Sequence, residues 1–359
     1  MNKRLLAVAV AGALAAPAAA FAQSSVTISG VLKGGFESLK YANSGMSNSS
    51  TSGVADDSSR IIFNIVEDLG GGLQAIGQYD FRGTIDVGGL TAAGNDHVGL
   101  RSKSWGRIFI GRQDLHYFNR ESDLTTRGTL RADSISLLAY MANTTGATQA
   151  IANASRTSNV VHYTTPNWGG FTLIAAYSSN PNGNNNDADL AVAGGIRKGR
   201  AWNLNPNFQG SNFQVGYSYW TSKNDAGGNA INTGDQRGDR LYGSFSWGGF
   251  KVGLAWDKSK IKGATTGTEL ARRTVWSLPL SYTFGAHSIN FHYDVAGDDK
   301  VQAGDNKAKM FALSYGYDLS KRTSVALTYA RINNQAAANY NFFTNTSLGV
   351  ANVAVPLGA

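Results

Sequence analysis

The 359-residue sequence has no cysteine and only 6 prolines, and beyond residue 22 it has no long apolar run. Without cysteine no disulfide can form, so stability has to come from chain size, packing or a closed lattice of hydrogen bonds. A transmembrane helix needs about 20 consecutive apolar residues, and no segment beyond the N-terminus approaches that length. What the chain does have in quantity is glycine (43 residues), tyrosine (15) and phenylalanine (16).

The first 22 residues have the pattern of a secretory signal peptide. Lys3 and Arg4 form a basic segment, a short Leu/Ala/Val run follows, and the sequence AFA before Gln23 fits a cleavage site. We therefore assign residues 1–22 to a signal peptide cleaved near Ala22, and residues 23–359 to one domain. Removing Lys3 and Arg4 lowers the formal net charge from +8 to +6.

The remaining chain reads as one β-strand after another. In EDLGGGLQAIGQYDFRG (residues 67–83), Ala75, Tyr79 and Phe81 fall on one face, opposite a mostly polar face that carries Gln78 and Arg82. This period of two indicates a strand with two different faces. The same alternation recurs, and we count fifteen strands, the clearest of them at 25–39, 60–68, 170–179, 212–220, 240–248, 250–258, 273–284, 288–296, 310–320 and 323–333.

Short and long connections alternate along the chain. The short ones read as tight turns, as in LGGG at 69–72, whereas the long ones are rich in Ser, Asn, Gly and Asp, and the longest runs from 113 to 156. This alternation predicts an all-β, up-and-down antiparallel barrel that crosses a membrane. A sandwich would have Greek-key connections instead.

The composition of the two faces indicates which solvent each face meets. Aromatic residues cluster at strand ends, which suits girdles at the two membrane–water interfaces. The opposite faces carry Gln, Asn, Asp, Lys and Arg, which a dry interior of this size leaves unsatisfied. We therefore expect Gln74, Asp80 and Arg82 to face a water-filled channel, with Tyr79 and Phe81 facing lipid. About sixteen strands enclose a channel rather than a filled barrel.

Five stretches carry a resemblance to a known family: SSVTISGVLKGG, SSRIIFNIVEDLGGGLQAIGQYD, WGRIFIGRQD, RTSNVVHYTTPNWGGFTLIAAYS and LSYGYDLSKRTSVALTYARINN. In this order and after a signal peptide, they resemble the trimeric general porins of Gram-negative beta-proteobacteria, over residues 24 to about 334. The resemblance implies a homotrimer of sixteen-stranded barrels in the outer membrane, surrounded by lipid and lipopolysaccharide. Small hydrophilic solutes and ions would diffuse through it passively.

The resemblance also implies particular site residues. The third extracellular loop, here residues 113–156, would fold inward and narrow the pore, with basic wall residues facing acidic groups on the loop. Arg60 and Arg156 match family arginines, and Glu121 and Asp123 are the acidic candidates on the loop.

The sequence departs from the family pattern at three places. The pattern YGxVD reads SGVLK here, so that Lys33 replaces a lumenal carboxylate, and His162 stands where the family often has arginine. The family closes with a strand that ends in phenylalanine, whereas residues 335–359 look like an interrupted last loop. We therefore expect fifteen readable strands, with the closing strand either truncated from this sequence or absent from the gene product.

By parity, the predicted channel wall is net basic. It receives seven basic residues (Lys33, Arg60, Arg82, Arg101, Arg107, Arg156 and Lys251) and three acidic ones (Asp80, Asp257 and Asp294). Focusing in a narrow channel would then give a mild preference for anions, unless the charges lie at the rims and are screened within about 8–10 Å. We expect Arg60, Arg82, Arg156 and Lys33 to line the constriction, opposite Glu121 and Asp123.

Three alternative functions are weighed against this one. A substrate-specific channel would show an aromatic track or a dense ladder of charge, and neither is apparent in the sequence. A barrel enzyme needs a nucleophile and a base, yet no HExxH, GxSxG or Walker sequence occurs, and the pair His292 and Asp294 reads as polar lining. A structural barrel would have a small, filled interior. We expect no catalytic residue, metal, cofactor or nucleic-acid partner.

Overall fold

The computed structural model describes residues 24–41, 50–57, 59–92, 94–116, 135–138, 140–141, 148–149, 156–181, 191–192, 195–196, 199–224 and 234–342. The expected signal peptide, Glu121, Asp123 and most of the last loop lie outside these residues. Within the described ranges, no helix is both long and apolar enough to cross a bilayer.

The described residues form 22 strands and one short helix. The strands are β1 Ser25–Val31, β2 Gly34–Lys40, β3 Ser50–Asp56, β4 Arg60–Gly70, β5 Leu73–Gly83, β6 Leu90–Ala92, β7 Asp96–Ser102, β8 Gly106–Gln113, β9 Tyr140–Met141, β10 Thr148–Gln149, β11 Thr157–Thr164, β12 Phe171–Ser178, β13 Ala191–Val192, β14 Gly195–Ile196, β15 Gly199–Gln209, β16 Phe213–Asn224, β17 Asp235–Trp247, β18 Phe250–Lys262, β19 Glu269–Phe284, β20 His287–Ala296, β21 Ala308–Asp318 and β22 Ser324–Asn334. The helix α1, Ile135–Leu138, lies between β8 and β9.

Fifteen strands follow one another in chain order as antiparallel neighbours. Their order is β1-β4-β5-β7-β8-β11-β12, followed by β15 to β22, and β6 adds a sixteenth strand at the side of β5. The predicted all-β, up-and-down architecture with fifteen strands in its main path is thus confirmed. Within the described residues, the end strands β1 and β22 each have one hydrogen-bonded neighbour.

The prediction of one strand over residues 25–39 is wrong. The chain leaves the main sheet after Val31, and β2 pairs with β3 in a separate hairpin within the first long connection. The Lys33 carbonyl accepts hydrogen bonds from the Asp57 amide and the Ser59 hydroxyl, so the backbone there no longer serves the main ladder.

Glycine makes the tight turn between β4 and β5. Gly70, Gly71 and Gly72 have φ angles of 84°, 60° and 80°, in the left-handed region that side chains with a Cβ rarely adopt. The run of three glycines therefore joins two long strands in a minimal turn.

The cross-strand register places the two faces as the alternation predicts. Interior-facing positions such as Asn203, Asn205 and Asp257 have no exposed surface, whereas Leu241 and Trp276 on the opposite face are each about half exposed. Aromatic rings pack against each other on this outer face, for example Phe250–Tyr282 at 4.2 Å and Trp256–Trp276 at 6.4 Å between centroids. Apolar residues outside and polar residues inside are the pattern of a membrane-spanning barrel.

Candidate functional site

Two arginines lie directly opposite one another on the interior face of β4 and β5. Arg60 pairs with Arg82 in the register of these strands, and like charges in that position repel each other. The repulsion is relieved by Asp80, whose carboxylate accepts a 2.7 Å hydrogen bond from Nη2 of Arg82. Parity thus predicts correctly that the two arginines share a face.

Asp80 is held in place from the connection between β5 and β7. It is only 2% exposed, and its backbone amide donates to the Asp96 carboxylate at 2.7 Å. Gly94 lies against the Asp80 side chain, and a Cβ at residue 94 would lie 2.1 Å from the carboxyl carbon. The absence of a side chain there lets the connection close over Asp80.

The start and the end of the longest loop meet beside this pair. The Asp114 carboxylate accepts a 2.7 Å hydrogen bond from the Arg156 amide, and the Asp114 amide donates to the Asn95 side chain at 2.8 Å. Nε of Arg112 donates to the Arg156 carbonyl at 3.1 Å. Burial raises the pKa of the Asp114 carboxyl, while the Arg156 charge opposes the rise.

These groups form one electrostatic unit, which we call the arginine cluster: Arg60, Arg82, Arg112 and Arg156, with Asp80, Asp96 and Asp114. The charges of Arg82, Arg156, Asp80 and Asp114 act on Arg60, and those of Arg82, Arg156, Asp96 and Asp114 act on Arg112. Four bases face three acids, so the cluster carries a net positive charge.

The structure brings together three of the residues expected at the constriction, Arg60, Arg82 and Arg156. Lys33 lies outside the main sheet, with its ammonium 3.5 Å from Asp57 and its backbone amide hydrogen-bonded to the Ser59 hydroxyl, next to Arg60 in the chain. Its expected place in the constriction stays a prediction. Glu121 and Asp123 lie outside the described residues.

The sequence alone leaves the direction of Arg112 open. The residue follows Gly111, whose φ of 147° changes the direction of the backbone. The register between β8 and β11 also shifts there, with the extra residue on β11 between Thr157 and Val160, whereas the register between β8 and β7 continues through Arg112. Parity along β8 therefore does not assign Arg112 to the face of Arg107, and the glycine at the point where a long loop leaves its strand is a usable signal that the alternation ends there.

The start of the same loop crosses to the opposite wall. The His116 ring is 2.8 Å from the Ser218 hydroxyl on β16 and 3.4 Å from the Asp257 carboxylate on β18. Arg240 on β17 binds Asp257 at 3.0 Å and donates to the His116 carbonyl at 3.1 Å. Burial lowers the pKa of His116, against the opposing effect of Asp257. The loop is therefore anchored inside the barrel.

A second anchor lies further along the loop. The guanidinium of Arg273 on β19 donates to the carbonyl oxygens of Leu137 and Leu138, the latter at 2.6 Å. These two leucines pack in a buried apolar cluster with Met310 and Tyr340. The interior faces of the late strands are thus covered by α1 and by the segment after β22.

The trio Ser218, His116 and Asp257 has the composition of a hydrolytic triad. A nucleophile has to reach a substrate, yet all three side chains have no exposed surface. Asp257 is also held by Arg240. The arrangement fastens the loop to the wall. His292 and Asp294 likewise face the interior but are fully buried, so the expectation that they line water is wrong.

An antiparallel barrel with an apolar exterior, a polar interior and an inward-folded loop defines the class of channel-forming outer-membrane barrels. Residues 7–337 match the sequence profile of the Gram-negative porins. The chain belongs to the Gram-negative porin family, and is an outer-membrane diffusion channel for small hydrophilic solutes.

Several relatives and solved structures are similar to the chain over most of its length. It is 28% identical to an outer membrane porin protein of Bordetella pertussis, over 90% of this chain and 92% of that protein. It is 27% identical to outer membrane porin protein 32 of Delftia acidovorans, over 94% and 91%. The anion-selective porin from Comamonas acidovorans shares the fold, with a TM-score of 0.67, 23% identity, and coverage of 89% of this chain and 94% of that one.

Proposed function

We propose that the arginine cluster is the constriction of a general diffusion pore and that it gives the pore a mild preference for anions. The observation that carries this proposal is the direct opposition of Arg60 and Arg82 on the interior face. A narrow, low-dielectric passage focuses the field of such charges on passing ions. The anion selectivity stated for the Comamonas acidovorans porin, which shares the fold, agrees with the same sign.

The preference is mild because Asp80, Asp96 and Asp114 offset most of the charge. Arg82 is bound to Asp80, so only part of its field reaches the channel. The charges of Asp80 and Asp114 likewise act on Arg60, and those of Asp96 and Asp114 act on Arg112. A net excess of one positive charge favours anions without excluding cations.

The test is the zero-current potential of single channels in a planar bilayer across a tenfold KCl gradient. The wild type should show an anion-biased potential, and Arg60→Gln with Arg82→Gln should move it toward the cation side. Lys321→Gln with Arg322→Gln removes the same charge from the turn between β21 and β22 and serves as the control. An unchanged potential in the Arg60/Arg82 variant would place the constriction elsewhere.

The same proposal includes the assembly. We expect a homotrimer, seen as conductance steps in groups of three, and a mature chain that begins near Gln23, seen by intact mass.

We also expect the phosphate groups of lipopolysaccharide to bind the outward-facing basic residues at the long-loop ends of β16–β19. Six bases lie there among three acids (Lys223, Arg237, Lys258, Lys260, Lys262 and Arg272; Asp235, Asp239 and Glu269). Lipopolysaccharide without its phosphate groups should therefore bind the protein more weakly.

A further inference from the structure

A second pair of opposed arginines lies at the other end of the channel. Arg101 on β7 is directly opposite Arg107 on β8, and Arg101 is in turn opposite Gln74 on β5. Gln74 and Arg82 are eight residues apart on one strand, so this pair lies about 26 Å along the strand from the arginine cluster. It is next to the short turn between β7 and β8.

Among the residues that the structure describes, this pair differs from the arginine cluster in having no acidic partner within salt-bridge distance. Among the described residues, neither Arg101 nor Arg107 forms a salt bridge, whereas Arg82 and Arg240 are each paired with an aspartate. Arg101 donates from Nε to the Gln74 side chain at 2.9 Å, which leaves the donors of its Nη groups available. Two unpaired like charges in direct opposition are unfavourable, and a bound anion would relieve the repulsion.

Arg107 lies on a packed aromatic support. Its guanidinium carbon is 5.1 Å from the centroid of the Phe109 ring. Phe109 is stacked between His97, at 4.2 Å, and His162, at 4.3 Å. Phe109 is 2% exposed and His162 is 4% exposed. The stack spans β7, β8 and β11, and limits the freedom of Arg107 while one side of its guanidinium rests on apolar surface.

We propose that Arg101 and Arg107 form a second anion subsite, at the short-turn mouth of the channel, which binds small oxyanions such as a phosphate or a carboxylate. The proposal rests on the proposed function, since the anions reach the site through the pore. Guanidinium groups bind planar or tetrahedral oxyanions through two parallel hydrogen bonds. The Arg101 side is open to water, so the affinity is weak and exchange is fast, as conduction requires.

The test is the block of single-channel chloride current by inorganic phosphate, added to one side of a planar bilayer at a time. Block should be stronger from the short-turn side. Arg101→Gln with Arg107→Gln should raise the half-blocking concentration about fivefold, the size expected for a solvent-exposed ion pair. Arg101→Lys with Arg107→Lys keeps the charge but removes the paired N–H donors of the guanidinium groups. This variant should raise the half-blocking phosphate concentration about twofold.

The matched control is Lys321→Gln with Arg322→Gln, which removes the same charge from another short turn and should leave the block unchanged. Equal shifts in the two glutamine variants would overturn the subsite, because net charge alone would explain them. A lysine variant with the same half-blocking concentration as the wild type would overturn the claim that paired guanidinium hydrogen bonds bind the anion. A wild type that conducts chloride but is not blocked would refute the subsite alone, whereas a protein that does not conduct would refute the proposed function.

Discussion

The channel interior has two walls that are alike in sequence pattern and different in environment. On the open wall, formed by the interior faces of β4, β5 and β7, residues such as Asn64, Gln78 and Arg101 retain contact with water. On the covered wall, formed by the interior faces of β17–β21, Arg240 and Asp257 have at most 1% of their surface exposed. On both walls, charged and polar side chains alternate with outward-facing residues, and a few of the interior positions are apolar, such as Ile76 and Ala255.

The difference shows that an inward-facing polar residue is not necessarily a channel-lining residue. Polar groups of the covered wall bind the inward-folded loop, through His116, Leu137 and Leu138. On the open wall Arg60 and Arg101 keep contact with water, although Asp80 is only 2% exposed. We therefore expect solutes to pass along the open wall and the covered wall to be structural.

Loss of a charge from the covered wall should lower the free energy of unfolding more than any other change considered below. Asp257→Ala leaves Arg240 and His116 without their carboxylate in a fully buried site, which should cost about 3 kcal/mol of unfolding free energy. Asp239→Ala removes a partly exposed acid from the outward face of the neighbouring strand and should cost less than about 1 kcal/mol. Urea unfolding followed by tryptophan fluorescence measures both, and equal losses would contradict a distinction between the walls.

Adding a methyl group next to the open wall should lower the free energy of unfolding by a smaller amount. Gly94→Ala places a methyl group against the Asp80 carboxyl, which should cost about 1–2 kcal/mol and disturb the Arg82 salt bridge. Because the Arg82 salt bridge is disturbed, this variant should change the zero-current potential as well as the free energy of unfolding. Gly77→Ala is the control on β5, because its Cβ would come no closer than 3.6 Å to a neighbour. Identical behaviour of the two variants would show that the Asp80 contact has no effect on selectivity.

Acid pH should weaken the loop anchor slightly. Burial lowers the pKa of His116, so that below about pH 6.5, the ordinary value for histidine, the unfolded chain binds a proton that the folded chain excludes. Stability is therefore lost as the pH falls below about 6.5 toward the lowered value. His116→Gln should remove this part of the pH dependence of urea unfolding. An identical slope in the variant and the wild type would rule out His116 as the titrating group.

The sequence predicts the strand pattern and the faces well because both follow from local alternation. Arg60 and Arg82 are found on one interior face by parity alone, since their strands are joined by a three-glycine turn. The direction of Arg112 cannot be assigned from the sequence, because the residue follows Gly111, with its φ of 147°, where the long loop leaves its strand. The place of Lys33 in the constriction stays a prediction, since the chain leaves the main sheet after Val31. The cover over Asp257 and Arg273 comes from segments more than 100 residues away in the chain, which local patterns do not reveal.

Single-cysteine labelling tests most directly whether water follows the open wall. The chain has no cysteine, so Asn64→Cys, Ser277→Cys and Leu241→Cys each report one position in the membrane-embedded protein. A charged, water-soluble thiol reagent should react quickly with residue 64 on the open wall and slowly with residue 277 on the covered wall. It should fail to reach residue 241 on the lipid face. Equal rates at residues 64 and 277 would contradict the account.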